Sequence, residues 1–223
     1  METATLAGVA ARRSAIYWLL AEFFTTCPDE VLIARLHRDL AGLPTSRAID
    51  PLTKGLSALH DALPEIGDAV GITKLKVDHT RLFGGIRADY GPPPPYESVH
   101  RNASDPTALA SAIAQAYFDA GFAAVDHAAP ADHLGVELRF ISLLCHGESD
   151  AWQGNLDAEA ILALGRQRDF LDSHVLQWAP QFLELVRSEA QHPFIGQLAA
   201  FARASVDEDR ALIGDLLAEL ERT

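Results

Sequence analysis

Residues 131–145 read Ala131-Asp132-His133-Leu134-Gly135-Val136-Glu137-Leu138-Arg139-Phe140-Ile141-Ser142-Leu143-Leu144-Cys145, and their spacing decides the fold class. Leu134, Leu138, Ile141 and Leu144 recur in steps of four, three and three, which puts them on one face of an α-helix and rules out a strand. Apolar and polar residues alternate strictly nowhere for long, so no sheet is expected anywhere in the chain.

The same reading extends in both directions. Toward the N-terminus, Ile16, Leu19, Leu20, Phe23 and Phe24 form the apolar face of a first helix. Pro28-Asp29 opens a second through Leu40, with Gly42 as its stop. Asp50-Pro51 supplies a cap and a first-turn proline for a third, running to about Leu63. Thr73 is placed to cap a fourth, on Leu75, His79, Leu82 and Phe83, before Gly84-Gly85. Asp105-Pro106 starts a fifth that Gly121 closes.

Toward the C-terminus, helices are predicted at Asp157–Gln177 and Pro180–Ala190, with another from Pro193. Ser205-Val206-Asp207-Glu208 has the form of a capping box before a last helix on Leu212, Leu216, Leu217 and Leu220. The expectation is an all-α, single-domain helical bundle of about nine or ten helices over residues 1–223, with one long proline-rich loop at about 84–104.

Composition narrows the function classes. Of 223 residues 48% are hydrophobic and 22% charged, as in an ordinary globule, and the net charge is −13. That field repels phosphate backbones, so nucleic acid is not an expected partner. It attracts basic partners, although a solvated acidic face also serves solubility alone. Cys27 and Cys145 offer neither a zinc spacing nor a disulfide framework and read as packing residues of a cytoplasmic protein. No run reaches the ~18 apolar residues of a spanning helix, so stable membrane insertion is not expected. Arg12-Arg13 before Ile16–Leu20 superficially has the form of a twin-arginine export signal, but Glu22 breaks the run and no small-residue cleavage site precedes Pro28.

The stretch from Gly84 to Ser104 is too long for a casual helix connection. Its prolines at 92 to 95 lack backbone donors and favour extended, stiff geometry, and Tyr96-Glu97-Ser98-Val99-His100 follow at once. This pattern reads as a recognition surface, or as a rigid crossover whose Tyr96 and Val99 plug the core.

The order Arg81-Leu82-Phe83-Gly84, then Pro94-Pro95-Tyr96-Glu97-Ser98-Val99, then Asp132-His133-Leu134-Gly135-Val136-Glu137-Leu138 closely resembles the TorD/DmsD/NarJ family of molybdoenzyme maturation chaperones. Phe170-Leu171-Asp172-Ser173-His174-Val175-Leu176-Gln177-Trp178, followed by Pro180 and Phe182, resembles that family's next helical signature. The resemblance implies a cytoplasmic chaperone, not an enzyme. It would bind the twin-arginine leader and apo form of a molybdopterin-dependent oxidoreductase and hold the client until molybdopterin guanine dinucleotide is inserted. No cofactor of the chain's own is implied; the dinucleotide is handled for the client. Monomers and exchanged homodimers are both compatible with the resemblance. It places Pro94, Pro95, Tyr96, Glu97, Ser98, Asp132 and His133 in the peptide-binding groove. His100 departs from the pattern, since that position is commonly aromatic in the family.

Physical reasoning adds candidates. A twin-arginine leader calls for carboxylates that take bidentate guanidinium contacts beside an apolar groove. Glu97, Asp132 and Glu137 are candidates for the first task, and Leu82, Phe83 and Tyr96 for the second. Asp132 reads equally as a helix N-cap, and His133 with Glu137 as a local ion pair. The rival class is a helical-bundle metalloprotein using Glu97-x-x-His100 and Glu189-x-x-His192, with His133 and Glu137 adding ligands. The prolines beside both motifs put them at helix ends, whereas such ligands project from mid-helix.

Overall fold

Aspartate side chains set three of the helix starts. In a computed structural model describing residues 3–41, 51–65, 67–85, 90–122 and 129–222, Asp29 Oδ1 accepts from the Leu32 amide at 2.8 Å ahead of α2 (Glu30–Ala41). Asp105 Oδ1 accepts from the Ala108 amide at 2.9 Å ahead of α6 (Pro106–Asp119), whose proline stands at the first turn. Gly121, at φ +95°, ends α6: its amide bonds Phe118 O at 2.9 Å, while the Phe122 amide reaches Tyr117 O at 2.9 Å. That double closure needs a left-handed residue.

The remaining helices are α1 (Thr3–Thr25), α3 (Pro51–Ala62), α4 (Ala69–Phe83), α5 (Glu97–His100), α7 (Leu134–Gln153), α8 (Asp157–Phe170), α9 (Leu176–Glu189) and α10 (Pro193–Leu220). A single π turn (Leu171–Val175) joins α8 to α9. Among the described residues the chain is all-α; its one β feature is an isolated antiparallel bridge between Tyr96 and His133. None of the described helices is long and apolar enough to cross a membrane.

Two compact units emerge, and the chain passes between them more than once. The first comprises Met1–Thr25, Tyr96–Ala179 and Val206–Thr223; the second comprises Thr26–Pro95 and Pro180–Ser205. In the first, α1 runs along α7, and Gly135 permits their approach. A Cβ there would lie 2.5 Å from Thr25 Cγ2 and 2.9 Å from Ala21 O. Ser14 and Ser142 bond each other's carbonyls at 2.9 and 2.8 Å, which ties the two helices to each other.

Arg13 anchors the interior of the same unit. Its guanidinium bonds Glu148 at 2.7 Å and also reaches Asp209 and Gln167, while Tyr17 Oη donates to Asp209 at 2.9 Å. Burial opposes the charge, yet the Asp209 and Glu148 carboxylates bonded to it keep the guanidinium strongly protonated. Arg13 is therefore a core residue of α1, and Ile16, Leu20, Phe23 and Phe24 are buried beside it as the periodicity predicts. In the second unit, Leu59, Leu75, Leu82, Ile195 and Leu198 are fully buried, and Asp78 Oδ2 accepts the Gln191 and His192 amides at 2.8 and 2.7 Å just ahead of α10.

Several local expectations are corrected. Asp68, not Thr73, caps α4, taking the Gly71 amide at 2.9 Å; Thr73 instead bonds Ala69 O within the helix. The Ser205–Glu208 capping box lies inside α10, where Ser205 Oγ bonds Phe201 O at 2.8 Å, because its neighbours continue the helical ladder. Pro180 does not start a helix but lies within α9. The predicted helix over 157–177 is interrupted by the π turn. The helix read from 131 to 145 begins at Leu134 and runs on to Gln153. The stretch read as extended through Ser104 folds into α5 at Glu97–His100. Cys145 is buried as expected, but Cys27 is exposed. Gly42 and Asp50 lie outside the described residues.

Candidate functional site

The chain enters the first unit at Tyr96, which pairs through its backbone with His133; the Glu97 amide donates to Asp132 O at 2.8 Å. The Asp132 carboxylate then serves the incoming turn. Its Oδ2 accepts from Ser98 Oγ at 2.5 Å and from the Ser98 amide at 3.3 Å. Asp132 therefore does not cap the helix it precedes. His133 does so, its Nδ1 accepting from the Gly135 amide at 3.1 Å, which leaves the ring proton on Nε2. The Tyr96 and His133 rings meet edge to face at 5.3 Å.

Beneath this turn two carboxyl groups are packed at 0% exposure, Glu97 on α5 and Glu137 on α7. Glu97 is gripped by Arg101 one helical turn on and by His174 Nδ1 at 3.0 Å. Although burial opposes it, the hydrogen bonds from His174 and Arg101 hold the Glu97 carboxyl below the usual range. Glu137 Oε2 accepts from Trp178 Nε1 at 3.2 Å. Burial pushes the Glu137 carboxyl well above the usual range, and the Glu97 charge adds to the effect. Glu137 is thus bonded to Trp178 rather than ion-paired with His133.

His100 stacks on Trp178, with ring centroids 5.2 Å apart and planes 20° from parallel. The imidazole here fills a stacking position against the indole ring. Sequence reasoning left Arg101, His174 and Trp178 unassigned. Arg101 is legible as the i+4 partner of Glu97. His174 is not, because the π turn shifts it out of helical phase; Arg210 braces that turn by a bidentate pair to Asp172 at 2.5 and 2.8 Å. On its other side His174 borders a cavity of about 340 Å³ over Phe140 and Phe170.

The structure thus brings together Tyr96, Glu97, Ser98, His100, Asp132, His133 and Glu137 in the first unit, whereas Leu82, Phe83, Pro94 and Pro95 belong to the second. Leu82 and Phe83 were expected to line a groove. Both are buried in the second unit, Phe83 meeting His79 at 4.9 Å and Phe182 at 6.3 Å. Pro95 is buried, and Pro94 lies close against Gly85, whose φ of +56° and missing Cβ both favour glycine. Val99, read as a core plug, is 41% exposed. The Glu-x-x-His pairs are engaged elsewhere: Glu97 as above, Glu189 with Arg81 at 3.6 Å, and His192 Nδ1 with the Phe194 amide at 3.2 Å. Among the described residues no group of three or more His, Cys, Asp or Glu is placed to hold a metal ion.

Comparison with known proteins identifies the lineage. The family described as nitrate reductase delta subunit matches residues 48–184, more than half of the chain and both ends of this cluster. The chain belongs to that family. It is the NarJ/TorD group that the ordered motifs resemble. The chaperone protein TorD of Vibrio cholerae is 27% identical over 215 residues, covering 93% of this chain and 94% of its own length. A selenate reductase assembly chaperone protein of Thauera selenatis is 37% identical over 105 residues, covering 45% and 53%. A candidate redox enzyme maturation protein of Archaeoglobus fulgidus, at 21% identity, shares the fold with a TM-score of 0.53 over 86% of this chain and 93% of its own. Both curated relatives, from Vibrio and Thauera, are named as chaperones, the second for the assembly of selenate reductase.

Proposed function

We propose that this protein is a cytoplasmic maturation chaperone for the catalytic subunit of a molybdopterin-dependent oxidoreductase, binding the client's twin-arginine leader and apo form before the cofactor-loaded enzyme is exported or assembled. The observation that carries the reading is that the family match spans both separated motifs, Tyr96–His100 and Asp132–Glu137, which fold into one hydrogen-bonded cluster. In that cluster the carboxyl groups of Glu97, Asp132 and Glu137 are buried, and Asp132 holds the turn through Ser98. The surface left for a partner is formed by Tyr96, Val99 and His100, above a framework held by Asp132 and His133. The net charge of −13 suits a leader that is basic at one end. A single all-helical chaperone body over 1–223, monomeric or exchanged as a dimer, completes the proposal.

Titration with a twin-arginine leader peptide from a molybdoenzyme of the same organism, beside its Lys-Lys version, tests it. The expected result is saturable binding that weakens on the lysine exchange, because lysine cannot make the bidentate contact. Failure of both the leader and the intact apoenzyme to bind would overturn the reading.

A further inference from the structure

Two carboxyl groups without exposure do not both ionise side by side unless cations compensate each of them. Among the described residues, the groups that act most strongly on this pair are these. α5 contributes Glu97 and Arg101, the segment before α7 contributes Asp132, α6 contributes the Tyr117 phenol, and the π turn contributes His174. Arg101 and His174 are both turned to Glu97. Asp132 adds negative charge near Glu137, and Tyr117 Oη is committed to Ala131 O at 2.7 Å. That leaves Glu137 with one bond from Trp178 to Oε2. Its Oε1 is buried and lacks any donor among the described residues, and the Glu97 and Glu137 carboxyl groups are neighbours close enough to share a hydrogen bond. Two acceptor oxygens in that relation are reconciled by one proton between them.

We propose that Glu137 is a proton-holding positioning residue: as a neutral acid it donates its O–H to Glu97, so that the Tyr96–His100 turn is locked to α7 only while that proton is bound. The donor is the Glu137 carboxylic acid, the acceptor the Glu97 carboxylate, and release sends the proton to solvent. The turn is the partner-facing part of the site proposed above, but the lock itself requires no client. The sign follows from the two shifts. Glu137 is raised, so its contribution is present at low pH and lost as pH rises through its folded value. Glu97 is lowered, so its contribution is lost as pH falls through its depressed value. The lock therefore holds between those limits and opens on the alkaline side by losing the Glu137 proton.

Infrared spectroscopy of the intact protein at neutral pH tests the proton directly. The expected spectrum contains the carbonyl stretch of a buried protonated carboxylic acid, which disappears in Glu137→Gln. The amide of that variant keeps an N–H donor toward Glu97, so Glu137→Gln should also retain the thermal midpoint while losing the alkaline decline shown by the parent. Glu137→Ala should lose the lock at every pH. Absence of the acid band from the parent protein, or its persistence in Glu137→Gln, would overturn the assignment. If Glu137→Gln does not fold, the parent's band must still titrate away in step with its alkaline loss of stability, and a band that does not move would be equally decisive. No client enters this experiment, so its failure would leave the chaperone reading standing.

Discussion

Replacing Asp132 by alanine, alone and together with Ser98→Ala, isolates the bond that docks the turn. In the native protein Asp132 Oδ2 receives Ser98 Oγ at 2.5 Å and the Ser98 amide at 3.3 Å, and both residues are buried. A hydrogen bond to a carboxylate contributes about 1.5–3 kcal/mol, and a buried hydroxyl left unsatisfied costs about 1–3 kcal/mol. Asp132→Ala loses the first and incurs part of the second, for a net of about 2–4 kcal/mol. In a chain of this length that lowers the thermal midpoint by on the order of 10 °C. Ser98→Ala removes only the hydroxyl arm, and once Asp132 is gone the serine substitution should cost little, since it then deletes an orphaned group. Urea unfolding of the four proteins gives the coupling energy, expected at about 1.5–3 kcal/mol. Additivity within about 0.5 kcal/mol would refute the argument that Asp132 holds the turn through Ser98.

Three further outcomes follow from the packing. Arg13→Met leaves Glu148 and Asp209 buried without their cation and should cost about 3–5 kcal/mol in urea unfolding; a loss below about 1 kcal/mol would mean the guanidinium is not integral to the core. Gly135→Ala drives a methyl group against Thr25 and the Ala21 carbonyl, so a far-ultraviolet circular dichroism melt should register about 1–3 kcal/mol of destabilisation, and an unchanged melt would show that α1 yields freely. With an aromatic disulfide reagent the native protein should release one fast equivalent, from Cys27; burial pushes the Cys145 thiol up and shields it, so a second fast equivalent would contradict the structure.

Much of the fold was legible because its signals are local. The apolar face through Leu134, Leu138, Ile141 and Leu144, the Asp105-Pro106 start and the Gly121 stop each depend on neighbours a few residues away. Boundaries failed where a competing local group or the continuing ladder prevailed, as with Asp68 over Thr73 and with Ser205 inside α10. The site divided along the same line. Tyr96, Glu97, Ser98, Asp132 and His133 were recognisable as ordered motifs, yet the direction of their side chains was not. Glu97 and Glu137 read as carboxylates offered to a partner, and the structure turns both inward.

From its sequence alone this protein is determined to be all-helical, acidic and marked by two motifs about thirty residues apart. Only the tertiary structure decides that Glu97, Glu137, His174 and Trp178 meet, that Asp132 serves Ser98 rather than its own helix, and that His100 stacks on Trp178. Helical phase is an interaction among residues three and four apart, which a linear reading captures. The meeting of α5, α7 and the π turn depends on chain closure across many tens of residues, and on a π turn that shifts that phase just before Trp178.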